Sequence, residues 1–134
     1  MKIRLSDERT QWRISLCFLT FGSALIYLLD LAKGQRSEYY AAIATAMSKN
    51  FSNLFFGTLD PGGSVTLDKI PGSYWIPAIF VKLFGFSTWA VNAPNAFATI
   101  GTVVVVAITV KNLYGKTAGL IAGAIFATTP IVAA

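Results

Sequence analysis

The stretch AVNAPNAFATIGTVVVVAITV, from Ala90 to Val110, decides the fold of this chain because it contains no charged side chain. A helix rises about 1.5 Å per residue, so a run of this length crosses a hydrocarbon core of about 30 Å. Its four consecutive valines would favour a strand in a soluble protein, but the length of the apolar run overrides that local preference. Pro94 fits the first helical turn, where its missing N–H costs least. We predict a membrane span over residues 90–110.

Two further apolar runs lie on either side of this span. The run Ile14–Leu29 also lacks charge and predicts a span over about residues 12–31. A cleavable signal peptide is the alternative, which the length of the run disfavours. The last run starts near Thr117, a predicted N-cap, and continues to Ala134, which predicts a third span over residues 118–134. Because no polar flank follows it, we expect the chain to be the N-terminal piece of a larger protein.

The overall composition supports a membrane protein. The 134 residues are 54% hydrophobic and 13% charged, whereas ordinary soluble domains carry about 25% charged residues. The net charge of +5 does not predict nucleic-acid binding, because the basic residues flank apolar runs, where they set topology. Histidine is absent and the one cysteine, Cys17, lies inside an apolar run. Acid–base chemistry would therefore depend on carboxylates, lysine or tyrosine.

The positions of the basic residues also predict an orientation. Four of them precede the first span and two flank the short turn between the second and third spans: Lys2, Arg4, Arg9, Arg13, Lys111 and Lys116. Both groups belong on the cytoplasmic side of the plasma membrane. The N-terminus is then cytoplasmic and the segment 32–89 lies outside. We predict one membrane domain over residues 1–134.

The residue pattern of the outer segment predicts helices and turns, which a simple connecting loop would not need. Ser37 can cap a helix that runs to about Ser48, and a second short helix is predicted over Ser73–Phe84. Between them, Asp60–Gly63 predicts a turn and Ser64–Leu67 a short extended piece. The fold class is therefore an all-α membrane protein with three transmembrane helices and an outer loop that carries short interfacial helices.

Small residues recur every four positions in the last span, at Gly119, Gly123 and Ala127. Such a face lets another helix approach closely. We predict a helix partner on this face, either from the first two spans or from another protein.

The outer segment also carries the groups that could do chemistry. Glu38 and Asp60 could each act as a base, although a glutamate in a first helical turn and an aspartate before Pro-Gly have ordinary structural uses as well. Lys69 offers a compact positive charge for a phosphate, with an ion pair to Asp68 or a lipid headgroup as the alternative. Tyr39, Tyr40, Tyr74 and Trp75 could line a groove or form an aromatic belt at the membrane interface.

Four segments in this order resemble a known family: EYYAA at 38–42, FFGTLDPGG at 55–63, VTLDKIP at 65–71 and KLFGF at 82–86. With the spans in their places, the chain resembles the N-terminal part of C-type membrane glycosyltransferases. The branch is that of the bacterial mannosyltransferase-like proteins, related to protein O-mannosyltransferases and the aminoarabinose transferase of lipid A.

This resemblance implies transfer of a sugar from a polyprenyl-phosphate carrier to an acceptor outside the membrane, with the donor and membrane lipid as partners. It implies a base in the first outer loop, Glu38 or Asp60, and a phosphate contact by Lys69. It also implies a divalent metal at Asp68. The substrate groove along Tyr39, Tyr40 and Trp75 is predicted from the aromatic residues themselves. Relatives begin the outer helix with Asp-Glu, whereas this chain has Ser37-Glu38, so the choice of base stays open. The alternative function is a non-catalytic membrane protein, an accessory subunit or a degenerate remnant.

Overall fold

The structure is a computed structural model that describes residues 2–29, 31 and 38–129, with side chains from residue 7 onward. Its elements are the helices α1 (Lys2–Leu29), α2 (Glu38–Ser48), α3 (Phe51–Phe56), α4 (Gly72–Phe84), α5 (Thr88–Tyr114) and α6 (Lys116–Thr128). Within the described ranges the extended backbone amounts to one isolated antiparallel bridge, between Thr58 and Thr66. The prediction of an all-α protein is confirmed.

Within the described residues, two helices are long and apolar enough to cross a membrane: 23 residues of α1 from Asp7 to Leu29, and the 27 residues of α5. The apolar helix α6 has 13 residues, which at about 1.5 Å per residue is shorter than the hydrocarbon core. The predicted third span over 118–134 is therefore not confirmed, and its last residues, 130–134, lie outside the described part of the chain.

Several predicted helix boundaries were wrong, and the caps explain why. The hydroxyl of Ser87 accepts a hydrogen bond from the Ala90 N–H at 3.1 Å, so α5 begins before residue 90 and Pro94 lies inside it. Thr117 is not an N-cap, because α6 already begins at Lys116, after a glycine with positive φ and without a side-chain cap. Ser37, the predicted cap of α2, lies outside the described residues.

The chain divides into two compact units, residues 1–29 with 96–134 and residues 30–95. In the first unit, the small-residue face of α6 is covered by the chain itself. A Cβ on Gly119 would lie 2.5 Å from the Ala107 carbonyl oxygen, and one on Gly123 would lie 2.8 Å from Leu19. The Tyr27 hydroxyl donates a hydrogen bond to the Ala127 carbonyl at 2.8 Å. This face therefore carries no argument for a partner in another protein.

Polar contacts join the start of α1 to the α5–α6 turn in the same unit. The Lys116 ammonium lies 2.9 Å from a Glu8 carboxylate oxygen. The Lys111 ammonium lies 5.2 Å from the centre of the Trp12 ring, a cation–π distance. The residues that precede the first span and those that flank the α5–α6 turn are thus at one end of this unit.

In the second unit, α2 is the central element and packs against both α3 and α4. Its alanines Ala41 and Ala44 are buried against Val81 of α4, and Ile43 and Met47 are buried with Ala78. The sequence predicts an interfacial helix here, and the structure shows that one of its faces forms the core of the unit. On α3 and α4, by contrast, several large apolar side chains are exposed, among them Phe51, Phe55, Phe56, Ile76, Leu83 and Phe84.

The loop between α3 and α4 is held by short-range hydrogen bonds. Gly57 ends α3 with a φ of 66°, and a Cβ there would lie 2.6 Å from Pro71, so only glycine fits. The Leu67 N–H donates to the Gly57 carbonyl at 2.8 Å, and the Gly63 N–H donates to the Asp60 carbonyl at 3.1 Å. The predicted turn and the short extended piece are both confirmed. Together they set the position of residues 68 and 69, which follow them in the chain.

Candidate functional site

The first turn of α2 meets the segment that precedes α4, although 29 residues separate them in sequence. The Tyr39 hydroxyl donates a hydrogen bond to Asp68 Oδ1 at 3.2 Å. The Lys69 ammonium donates one to the Tyr40 hydroxyl at 3.5 Å. Four of the residues singled out in the sequence are therefore neighbours, and we call Tyr39, Tyr40, Asp68 and Lys69 the tyrosine–lysine cluster.

Lys69 lies over the aromatic rings of this cluster. Its Nζ is 5.6 Å from the centre of the Tyr39 ring and 5.2 Å from that of Tyr40, within the range of cation–π attraction. The hydrogen bond to Tyr40 raises the pKa of Lys69 above its ordinary value, because the phenol oxygen stabilises the ammonium form. The residue is solvent-exposed. Lys69 thus carries a positive charge at an accessible position within the cluster.

Tyr39 acts as a neutral donor within the cluster. Desolvation by surrounding atoms, followed by the hydrogen bond to Asp68, raises the pKa of the Tyr39 phenol. The phenol therefore keeps its proton at neutral pH and shares it with the Asp68 carboxylate. This contact holds the Asp68 carboxylate next to α2, while the Lys69 ammonium lies over the tyrosine rings.

Glu38 is the first residue of α2, directly before the two tyrosines of the cluster, and it is exposed. A carboxylate at this position is stabilised by the helix dipole, and Glu38 is next in sequence to Tyr39 of the cluster. Both interpretations of Glu38 from the sequence are compatible with this location.

Asp60, the other candidate base, is used to close its own loop. Its Oδ1 accepts a hydrogen bond from the Val65 N–H at 2.8 Å. Backbone N–H groups of Val65 and Ser64 hold the pKa of Asp60 below its ordinary value. A lowered pKa makes a carboxylate a weaker base, so this geometry suits the turn better than proton transfer.

The aromatic side chains that the sequence suggested for a groove do not all make the same contacts. The Trp75 indole N–H donates to the Leu54 carbonyl at 2.8 Å, which ties this side chain to the end of α3. Tyr74, the residue before it, extends the cluster instead, with its ring centre 5.8 Å from that of Tyr40. The sequence indicated Tyr74 only as one aromatic residue among several.

The surroundings of Asp68 do not fit a divalent metal. Across the described residues no three side chains of His, Cys, Asp or Glu lie close enough to share an ion. Hard cations such as Mg²⁺ and Ca²⁺ take several oxygen ligands, and Asp68 already accepts a hydrogen bond from Tyr39. We derive no step through a metal at this position.

A second feature of the unit was not predicted from the sequence. An open cleft of about 570 Å³ lies beside α3 and the loop that follows it, lined by Asn50, Ser52, Asn53, Phe56, Thr58, Gly62, Gly63 and Thr66. Serine, threonine and asparagine are common in any polar loop, so no pattern in the sequence marks these residues as a cavity lining.

Comparison with known proteins agrees with this architecture. The sequence profile of the dolichyl-phosphate-mannose-protein mannosyltransferase family matches residues 68–134, half of the chain, beginning at the Asp68 of the cluster. The chain belongs to this family. The matched region contains Lys69, Trp75 and the helices α4 to α6.

Two proteins of Bacillus subtilis (strain 168) are similar to this family member. One, named "Putative mannosyltransferase YkcB", is 33% identical over 131 residues, 97% of this chain and 18% of its own length. The other, named "Putative mannosyltransferase YycA", is 41% identical over 98 residues, 73% of this chain and 14% of its own length. The chain thus spans less than a fifth of either relative. No solved structure matches.

These similarities place the chain in a family of mannosyltransferase-like proteins, and the two apolar helices of its described part suggest a membrane protein. They bear out the resemblance drawn from the four sequence segments.

Proposed function

We propose that this chain is the N-terminal part of a membrane glycosyltransferase that moves a sugar from a polyprenyl-phosphate carrier to an acceptor on the outer face. The observation that supports this most is the tyrosine–lysine cluster. It contains an accessible positive charge on Lys69, which lies in the region that the family profile matches.

In the proposed reaction an acceptor oxygen attacks the anomeric carbon of the sugar. The bond from that carbon to the phosphate oxygen breaks, and the phosphate leaves with the electron pair. Lys69 stabilises the negative charge that develops on the phosphate, and the Tyr40 hydroxyl, 3.5 Å from Nζ, holds the ammonium in place. The acceptor proton passes to a carboxylate.

We propose Glu38 as that carboxylate, with Asp60 as the alternative. Glu38 adjoins Tyr39 and Tyr40 at the start of α2, whereas the carboxylate of Asp60 is engaged by the Val65 N–H and has a lowered pKa. A carboxylate with a lowered pKa accepts a proton less readily. The groove for the carrier would follow Tyr39, Tyr40 and Trp75.

The same proposal places residues 32–89 outside the membrane and the N-terminus in the cytoplasm. The Glu8–Lys116 ion pair supports it, because it holds the basic N-terminal segment and the basic α5–α6 turn at one end of their unit. Both segments can then lie on the side of the membrane that retains positive charge. We propose no partner protein, since the face of α6 that suggested one is covered within the chain.

The experiment replaces Lys69 by alanine in the intact native protein and measures sugar transfer from a polyprenyl-phosphate donor. Removing a charge that stabilises the departing phosphate should lower kcat by about 100-fold or more. Lys69→Arg should retain part of the activity. Lys82→Ala, which removes an exposed lysine of α4, is the matched control and should behave like the wild type. Equal turnover in Lys69→Ala and Lys82→Ala would remove the phosphate role.

A further inference from the structure

Asp68 and Lys69 carry opposite charges on consecutive residues, yet their side chains do not pair with each other. An ion pair between them was the alternative that the sequence left open for Lys69. Within the described part of the chain no such pair joins them. The Asp68 carboxylate instead accepts a hydrogen bond from Tyr39, and the Lys69 ammonium donates one to Tyr40. The charge of Lys69 is therefore not neutralised by its neighbour in sequence.

The two charged groups nevertheless lie around the same aromatic side chain. The Tyr39 hydroxyl is 3.2 Å from Asp68 Oδ1, and the centre of its ring is 5.6 Å from Lys69 Nζ. The negative charge of Asp68 also reaches the ammonium, since it contributes to the raised pKa of Lys69. A lysine has a flexible four-carbon stem and three donors, so it can adapt to a nearby carboxylate. Asp68 is thus a potential competitor for the ammonium.

The position of the Tyr39 hydroxyl is set by α2 and not by the loop that carries Asp68. Tyr39 lies in the first turn of this helix, and the following residues Ala41 and Ala44 are buried in the core of the unit. Its ring also contacts that of Tyr40, with the ring centres 5.5 Å apart. The hydroxyl is therefore a donor on a packed element, and a hydrogen bond to a charged acceptor is stronger than one between neutral groups.

We propose that Tyr39 is a positioning residue whose hydroxyl engages the Asp68 carboxylate and so leaves the Lys69 ammonium open to an external phosphate. Without this hydrogen bond the carboxylate would pair with the ammonium in part of the molecules, and a phosphate would have to displace it. This inference rests on the proposed function. It adds the residue that keeps the phosphate contact of Lys69 available.

The test measures binding of geranyl phosphate, a short isoprenyl phosphate, to the intact protein in lipid nanodiscs by calorimetry. Geraniol, which lacks the phosphate, and empty nanodiscs report partition into lipid. Tyr39→Phe keeps the aromatic ring and removes only the hydroxyl. Its Kd for geranyl phosphate should rise about two- to fivefold, because an exposed ion pair of modest strength then competes for the ammonium. Binding of geraniol should not change.

Asp68→Asn distinguishes this role from a general effect of the lost hydroxyl. The amide cannot form an ion pair, so this variant should bind geranyl phosphate at least as tightly as the wild type. Tyr39→Phe should cause no further weakening in the Asp68→Asn background. A structural effect of the lost hydroxyl, or a direct contact between it and the phosphate, would persist in both backgrounds. The comparison is therefore a double-mutant cycle, and the proposal predicts that its effects are not additive.

Two matched controls use residues of the other unit. Tyr114→Phe removes an exposed phenol at the end of α5 and should bind geranyl phosphate like the wild type. Asp7→Asn removes an exposed carboxylate of α1 and, combined with Tyr39→Phe, should not restore binding. Restoration by Asp7→Asn would mean that net charge, and not Asp68, controls the site. The melting temperature of each variant verifies that it folds.

Lys69→Ala separates this inference from the proposed function. It should remove the preference for geranyl phosphate over geraniol. If the preference persists, Lys69 does not contact the phosphate and both proposals are wrong. If Lys69→Ala removes it but Tyr39→Phe binds like the wild type, or weakens binding equally with Asp68 and with Asn at position 68, the phosphate contact stands and the role of Tyr39 is wrong. Weaker binding by Asp68→Asn alone would also contradict that role.

Discussion

Individual polar residues in the second unit have roles that depend on one or two hydrogen bonds each. Lys69 lies over two tyrosine rings and donates a hydrogen bond to one of them, which raises its pKa and favours its charged form. Asp60 and Asp68 are both acidic residues next to a turn, yet one closes its loop and the other accepts from Tyr39. The two residues are of the same type, so their hydrogen-bond partners distinguish Asp60, which stabilises its loop, from Asp68, which lies beside Lys69.

At this scale we predict that acid weakens the loop through Asp60. An unfolded aspartate titrates near about 3.9, and the pKa of Asp60 in the folded chain is lower. The stabilisation by its carboxylate is therefore fully present above about pH 4 and is lost as the pH falls through the lower, folded pKa. The protection of the Val65 N–H against hydrogen exchange, corrected for intrinsic exchange, should fall over that range in the wild type.

Asp60→Asn keeps an oxygen that can accept from Val65 but cannot titrate. In this variant the Val65 N–H should be less protected against hydrogen exchange at neutral pH. Its protection should not depend on pH between about 2 and 5. The N–H of Gly57, which bonds to Asn53 at the end of α3, is the internal reference. The same pH dependence in both proteins would contradict the assigned role of Asp60.

At the scale of elements, the packing of α6 depends on backbone approach more than on large side chains. A Cβ on Gly119 would lie 2.5 Å from the Ala107 carbonyl oxygen and 2.9 Å from the Lys111 N–H nitrogen, both backbone atoms of α5. Backbone atoms in a helix cannot move aside as the end of a flexible side chain can. The close approach of α5 and α6 therefore requires glycine at this position.

We predict that Gly119→Ala destabilises the chain by about 1–3 kcal/mol, because the added methyl group forces the two helices apart. Gly101→Ala is the matched control in α5. Nothing lies within 4 Å of a Cβ at Gly101, so alanine should be neutral or stabilise by up to about 1 kcal/mol. Denaturation of the intact protein in detergent would compare them, and equal stabilities would mean that α6 does not pack in this way.

For the whole molecule, the proposed function depends on which side of the membrane each charged segment lies. The proposed chemistry requires the tyrosine–lysine cluster to face outside. The sequence predicts this from basic residues alone, and the Glu8–Lys116 ion pair supports a common side for the two basic segments.

We predict that, in intact cells carrying the protein with Cys17→Ser, Val65→Cys reacts with a membrane-impermeant maleimide. Val65 is exposed in the outer loop, so its thiol should be accessible from outside. Tyr114→Cys, at the exposed end of α5, should react only after the cells are permeabilised. The opposite pattern of labelling would reverse the orientation and place the proposed site in the cytoplasm.

The sequence by itself determined the helical class, the two long apolar helices and the turn at Asp60, because these depend on local composition and on the length of an apolar run. It also determined the family, through short segments in a fixed order. Its helix ends were less accurate at Ser87 and Thr117, since a cap is decided by which hydroxyl actually meets an N–H.

Only the tertiary structure decided which distant residues meet. Tyr39 and Tyr40 reach Asp68 and Lys69 across 29 residues of sequence because the core around α2 and α4 brings their segments together. The same folding buries the Thr58 hydroxyl, which has no hydrogen-bond partner among the described residues. Contacts of this kind follow from the path of the whole chain, and no local pattern of residues encodes them.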